Sequence, residues 1–232
     1  HRGAIPMRKL TCGLLVFLLC SLPGYARVSV SPVIVEAVNV QAGQVFQITC
    51  QQQGTEQVEL GLSLALFDQD KQGGVVFLED DCSVLTVREN VRLASDNLVL
   101  EPNQQTTIQV EVARDEFDHL YAVLFIKPKQ MGIPTRLAVL FLLSTSGAQA
   151  DFDISAWERN ERTLNLTVYN KGLSHGFWTG ELLCFDAAGE RAERLAVQSG
   201  TVLAGRSRGL SIDLPSWVQD VEVLPTQKGS RP

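Results

Sequence analysis

The chain has 232 residues, a formal net charge of −6 and 45% hydrophobic residues. It is too apolar for a disordered chain and has the balance of a folded one. An acidic chain with no basic cluster is a poor match for nucleic acid or for an anionic membrane surface.

The first segment reads as a leader. Met7-Arg8-Lys9 is a basic start, Leu14–Leu19 is an apolar run, and Gly24 and Ala26 are small residues at −3 and −1 of a cleavage point. Residues 1–26 are therefore assigned to upstream sequence and a secretory signal peptide, whose apolar run is too short for a transmembrane span. Losing Arg2, Arg8 and Lys9 and no acidic residue takes the net charge from −6 to about −9. No later apolar run is long enough to cross a membrane as a helix. The expected product is exported, periplasmic or at the cell surface, with no transmembrane segment in the mature chain.

Beyond Arg27 helical periodicity is nearly absent, and short β-branched runs bounded by Gly, Pro, Asn and Asp recur. Two stretches repeat. Phe46-Gln-Ile-Thr-Cys50 followed by Gly54 parallels Leu164-Asn-Leu-Thr-Val168 followed by Gly172. Thirteen residues after each glycine comes Phe-Asp, as Phe67-Asp68 and Phe185-Asp186. Leu100-Glu-Pro-Asn103 before Ile108 is echoed by Leu203-Ala-Gly205 before Leu210. Matched spacing in this order argues for two copies of one β-unit. Each copy has the strand and turn rhythm of an immunoglobulin-like sandwich. The expected fold is all-β, with a first sandwich over 27–147 and a second, smaller one over 150–228. The first copy carries an excess over roughly 74–94, expected to form extra edge strands or a long loop.

Three strands are expected in the first copy at Thr106–Val112, Tyr121–Lys127 and Thr135–Thr145. Tyr121 suits either a tyrosine corner, its hydroxyl bonded to backbone upstream, or a plain core position. The stretch Arg136–Ser144 is apolar at both parities and has no equally apolar echo in the second copy. Such a strand is buried on both faces or offers one to a partner by strand addition.

Catalytic chemistry finds no support. Asp68-Gln-Asp70-Lys-Gln72-Gly73 resembles a calcium loop in outline, but Asp and Gly are also the ordinary residues of a hairpin turn, which is the expectation here. His119 and His175 are expected at the surface, with no carboxylate and nucleophile arranged about them. Cys50 and Cys184 align with apolar positions of the other copy and are expected as buried thiols. A Cys50–Cys82 bridge is the alternative in an oxidising compartment. No spacing calls for a metal or other cofactor, and none is assigned.

Taken with secretion and duplication, Val28-Ser-Val-Ser-Pro32-Val-Ile-Val35, Phe67-Asp68, Leu98-Val-Leu-Glu-Pro-Asn103, Tyr121-Ala-Val-Leu-Phe125 and Leu137–Leu143 give the chain a resemblance to the periplasmic chaperones of pilus assembly. The resemblance implies a non-enzymatic protein whose last strand in the first domain complements the open sheet of a client protein such as a pilin-like subunit. Carried onto this chain, the partner-binding residues would be Arg136, Leu137, Val139, Phe141 and Leu143, or the opposite parity. The family's N-terminal arginine falls at Val33-Ile34 here, and Arg136 is the cation nearest the last strand. The alternative is a structural or adhesive surface module whose apolar strand is satisfied internally.

Overall fold

The structure, a computed structural model, describes residues 27–129, 135–189 and 192–224. The expected signal peptide lies outside the described residues. In chain order the first half holds β1 (Arg27–Ser31), β2 (Ile34–Ala37), β3 (Val45–Gln53), β4 (Val58–Gln69), β5 (Val75–Leu78), helix α1 (Asp81–Asn90), β6 (Val91–Leu93), β7 (Asn97–Leu100), β8 (Gln105–Val112), β9 (His119–Pro128) and β10 (Leu137–Ser144). The second half holds β11 (Phe152–Asn160), β12 (Thr163–Asn170), β13 (Gly176–Phe185), β14 (Ala192–Val202), β15 (Ser207–Asp213) and β16 (Asp220–Leu224).

Alternation drives the first sandwich. In β8, Ile108, Val110 and Val112 point inward while Gln105, Thr107, Gln109 and Glu111 face water. One sheet runs β1-β3-β8-β6 and the facing one β2-β10-β9-β4-β5, with β7 beside the start of β4. Between them lies a core that includes Ile48, Leu60, Leu124, Val139 and Phe141. The second half is a sandwich of two three-stranded sheets, β11-β12-β15 and β14-β13-β16, around Leu164, Leu166, Trp178 and Leu182. The protein is thus all-β with two sandwich units and a single helix among the described residues.

That helix corrects the expectation of only strands or loop over 74–94. It begins because the Asp80 side chain accepts from the Ser83 amide at 3.0 Å and from its hydroxyl at 2.7 Å. Asp81 and Arg88 complement its dipole at the two ends. Only Ser83 and Val87 are buried, too narrow an apolar face to leave a readable period in the sequence.

The duplication is carried in the pairing. Strands β3, β4, β8 and β9 correspond to β12, β13, β15 and β16, with β3–β8 and β4–β9 matched by β12–β15 and β13–β16. The turns entering β8 and β15 match in detail. The Gln104 amide donates to Glu101 O at 3.0 Å and the Arg206 amide to Leu203 O at 3.1 Å. Each turn has a left-handed residue at its third position, Asn103 (φ 57°) and Gly205 (φ 68°), as a type II turn requires. A second shared device is a buried amide at the end of the equivalent strands, Gln52 on β3 and Asn170 on β12, both 0% exposed. Strand β10 has no counterpart among the described residues.

The Asp70 turn is a hairpin turn, in which its carboxylate accepts from the amides of Gln72 at 2.9 Å and Gly74 at 2.7 Å. No cluster of His, Cys, Asp and Glu among the described residues is arranged to hold a metal.

Candidate functional site

Strand β10 lies between β9, which pairs with it from Leu137 to Ser144, and the short parallel strand β2, which pairs only with Leu140–Leu143. The β10 side chains therefore divide sharply. Val139 (0% exposed), Phe141 (1%) and Leu143 (0%) face the sandwich core, with Leu137 half-buried at its margin. Phe141 packs against Phe46, ring centroids 6.0 Å apart. Of the two parities the sequence left open, pleating commits Leu137, Val139, Phe141 and Leu143 to the core of their own domain. The opposite parity faces outward. Ala138, Leu140 and Leu142 join Ala65, Phe67, Tyr121, Val123 and Phe125 on the outer face of the sheet.

That outer face is the floor of the contact between the two sandwiches. Leu203 and Ala204, from the turn before β15, pack onto it. The Ala204 amide donates to the Tyr121 hydroxyl at 3.0 Å, so this tyrosine braces the second domain and makes no bond to upstream backbone. Burial pushes the Tyr121 phenol up to about 12. Around it Gln69 donates to Thr201 O at 3.0 Å and accepts from the Leu203 amide at 3.2 Å. The Gly209 amide donates to Lys71 O at 2.8 Å, and Arg206 forks onto Asp68 at 2.5 and 2.6 Å. Across the cleft the Ser144 and Ser174 hydroxyls lie 2.7 Å apart, and His119 Nδ1 is 3.1 Å from Leu173 O. Hydrogen bonds and apolar contact thus join the two sandwiches at several points.

His175 corrects the surface assignment. It is 6% exposed, with Nε2 3.1 Å from Glu36 Oε1 and its ring edge-on to Tyr121. His119 is half-buried and stacked on the same tyrosine at 4.8 Å. A turn such as Leu173-Ser-His175-Gly reads as surface in a sequence, and only the second domain's approach to the first buries it. Cys50 and Cys184 are buried and Cys82 is exposed on α1. Burial pushes the Cys50 thiol up to about 11.

The Arg206 guanidinium beside Asp68 holds its carboxyl below the usual carboxylate range. A depressed folded-state pKa adds stability that is fully present above the unfolded value, about 3.9, and is lost as pH falls through the lower folded value. Both side chains are partly exposed, so the pair contributes at most about 1 kcal/mol. We expect Asp68→Asn to lower the thermal midpoint slightly at neutral pH, and the gap from wild type to close below about pH 3.9. A calorimetric pH series on both proteins reads this directly.

Arg136 precedes β10 and is held at the rim of the same face. It forks onto Glu79 with two bonds of 2.7 Å and lies over the rings of Phe125 (3.8 Å) and Phe77 (5.4 Å). At the opposite edge of the sheet, by β2, Val33 is 56% exposed and Ile34 55%. The backbone of β10 also reaches that edge. The Leu140 amide donates to Val33 O at 3.0 Å, and alternate residues of a strand direct their polar groups the same way. The N–H and C=O of Ala138 therefore point to the same side, where no strand among the described residues pairs with Leu137–Val139. The sequence reading held Ala138 only as part of the opposite parity and named Val33-Ile34 only as the place where the family's arginine falls; that they line one edge was not legible in it.

No family model matches the sequence, and no curated protein matches it. Among solved structures it is similar to a chain of a chaperone–tip adhesin complex described as vital for synergistic activation of CFA/I fimbriae biogenesis, with a TM-score of 0.56 and 10% identity over 86% of this chain and 94% of that one. It is also similar to the class 5 fimbriae chaperone CfaA, with a TM-score of 0.56 and 10% identity over 88% of this chain and 95% of that one. No helix among the described residues is long and apolar enough to cross a membrane. What the chain shares with these proteins, over nearly their whole length, is the two-sandwich fold of the fimbrial chaperones.

Proposed function

We propose that the protein is an exported, non-enzymatic chaperone that binds a partner protein by β-strand addition, in the assembly of a pilus or other surface fibre. The sandwiches over 27–147 and 150–228 act as two arms, and the partner's strand lies along β10 in line with β2. The observation that carries this is the edge of Leu137–Val139, which no strand among the described residues pairs and where Ala138 offers a donor and an acceptor next to the exposed Val33 and Ile34 of β2. Ala138 and Leu140 supply outward side chains, and Arg136 stands at the end of the row. In this reading Val139, Phe141 and Leu143 keep the strand in place from beneath.

The test is co-purification with a fibre subunit of the same genome. Ala138→Pro removes the outward N–H while the partnership of β10 with β9 is kept, since an edge position tolerates proline. We expect at least tenfold less subunit captured, with a thermal midpoint within a few degrees of wild type. Undiminished capture by Ala138→Pro would sink strand addition at this edge.

A further inference from the structure

Strand β2 is lightly held by its own domain. It has four residues, none of them fully buried, and it pairs with β10 alone, over Leu140–Leu143. The chain enters it from β1, which belongs to the facing sheet. The Leu140 amide donates to Val33 O at 3.0 Å, and alternate residues direct their polar groups the same way, so Val35 and Ala37 turn theirs to β10. The side chains of Val35 and Ala37 are half-buried against the first core. Ile34 and Glu36 face outward, on the side of their pairing partners Leu140 and Leu142.

Glu36 is the point where the second domain reaches this strand. Its Oε1 lies 3.1 Å from Nε2 of His175, 139 residues away in the chain. An ionised carboxylate only accepts, so Nε2 carries the hydrogen and donates it. The imidazole stands as a fixed post. It is 6% exposed and sits edge-on to Tyr121, ring centroids 5.9 Å apart. The Ser174 hydroxyl before it lies 2.7 Å from that of Ser144, and Ser174 O accepts from the Asn170 side chain at 2.8 Å. Gly176 after it has no room for a Cβ beside Ala150 and Phe152. The two sides of the bond are therefore unequal: the loop is buried and bonded without it, whereas β2 is a short edge strand. Where β2 ceases to pair with β10, the edge at Leu137–Val139 begins.

We propose that His175 is a positioning residue for partner capture: through Glu36 it pins β2 against β10 and so fixes where that edge begins. This rests on the reading of strand addition at Leu137–Val139. Without the pin β2 frays, the edge loses its fixed end, and a partner strand meets no single register.

Hydrogen exchange of the full exported chain, with no partner present, reads the pin alone. We expect Glu36→Ala and His175→Phe each to speed exchange across Val33–Ala37 about fivefold, the factor for one partly exposed charge-assisted hydrogen bond. The double variant should be no faster than either single one, because both remove the same bond. His175→Gln keeps a side-chain donor and should recover most of the protection. Exchange across residues 203–209, elsewhere in the domain contact, should match wild type. Glu36 is exposed, so its variant keeps the fold even where that of the buried His175 does not.

Capture of a fibre subunit reads the consequence. Glu36→Ala should weaken it about fivefold, in step with the exchange. Glu36 and Leu142 are directly paired, their Cα atoms about 4.8 Å apart and within disulfide reach. Cys82 is exposed, so the next variant is made in a Cys82→Ser background. Glu36→Cys with Leu142→Cys replaces the pin by a bond that a reductant removes. Its oxidised form should protect β2 and capture subunit about fivefold better than its reduced form.

Unchanged exchange at 33–37 in Glu36→Ala would overturn the pin. Equal acceleration at 33–37 and 203–209 would overturn it as well, because that is a general loosening of the domain contact. Faster exchange with undiminished capture would overturn the positioning role. Normal capture by Ala138→Pro would sink strand addition and the positioning role with it, while the exchange result decides the pin itself.

Discussion

Replacing Phe141 by alanine should destabilise the first sandwich by about 3–5 kcal/mol. In a protein of this size that lowers its melting transition by roughly 10 °C. The residue is 1% exposed and sits midway along β10, its ring tilted against Phe46. Val139 and Leu143 flank it on the same face, both fully buried. Nothing nearby is free to collapse into the space: β10 is held by β9 along its length and by β2 from Leu140 onward. The cavity term therefore adds to the lost transfer energy. Scanning calorimetry separates this from a client-binding role. Phe141→Ala should lose stability first and subunit capture only as a consequence, whereas Ala138→Pro should lose capture with the melting transition in place. Equal thermal midpoints for Phe141→Ala and wild type would refute the inward assignment.

Parity is also where the sequence was least informative. A strand that alternates declares its buried face, but Arg136–Ser144 is apolar on both. The choice was made by two neighbours distant in the chain: the facing sheet with Phe46, and the turn at Leu203–Ala204 that covers Leu142 and Tyr121. The duplication was legible because it is written in local signals, such as Phe67-Asp68 and Phe185-Asp186 before hairpin turns, and Asn103 and Gly205 where a left-handed residue is needed. Cys50 and Cys184 could be placed by the same alignment. Tyr121 and His175 could not, because their partners, Ala204 and Glu36, lie across the domain contact at separations of 83 and 139 residues. Helix α1 escaped notice because its start depends on a single capping carboxylate.

The asymmetry between the two copies gains meaning from this packing. In the first sandwich an extra strand, β10, lies beside β9; in the second, β16 holds the place corresponding to β9 and is the last strand of its sheet among the described residues. The extra strand has its inner face in the first core and much of its outer face under the second domain. Among the described residues, no strand pairs with its leading end, Leu137–Val139, on the side of β2. On the proposed reading, the second domain would set how much of β10 a partner can reach.

Asn170 should prove as important as any apolar core residue, although nothing in the sequence sets it apart from other turn asparagines. Its side chain is fully buried and makes four bonds. The amide nitrogen donates to Ser174 O at 2.8 Å and Val202 O at 3.0 Å. The amide oxygen accepts from the backbone of Asp151 at 3.2 Å and Gly172 at 3.0 Å. Those four partners belong to the entry of β11, the loop after β12 and the end of β14, so one side chain ties the top of the second sandwich together. Gly172 is close-packed there, with no room for a Cβ beside the backbone of Gln149 and Asp151. Asn170→Ala strands four backbone groups in a buried site, each costing about 1–3 kcal/mol where water cannot replace the lost bond. A net loss of about 3–5 kcal/mol is expected once partial hydration is allowed for. The same loop carries Leu173, Ser174 and His175 onto His119, Ser144 and Glu36. The variant should therefore also loosen the contact between the arms, read as faster amide exchange at residues 171–175 and a wider small-angle scattering envelope. Unchanged exchange in that loop, together with a midpoint equal to wild type, would show that Asn170 is not its anchor.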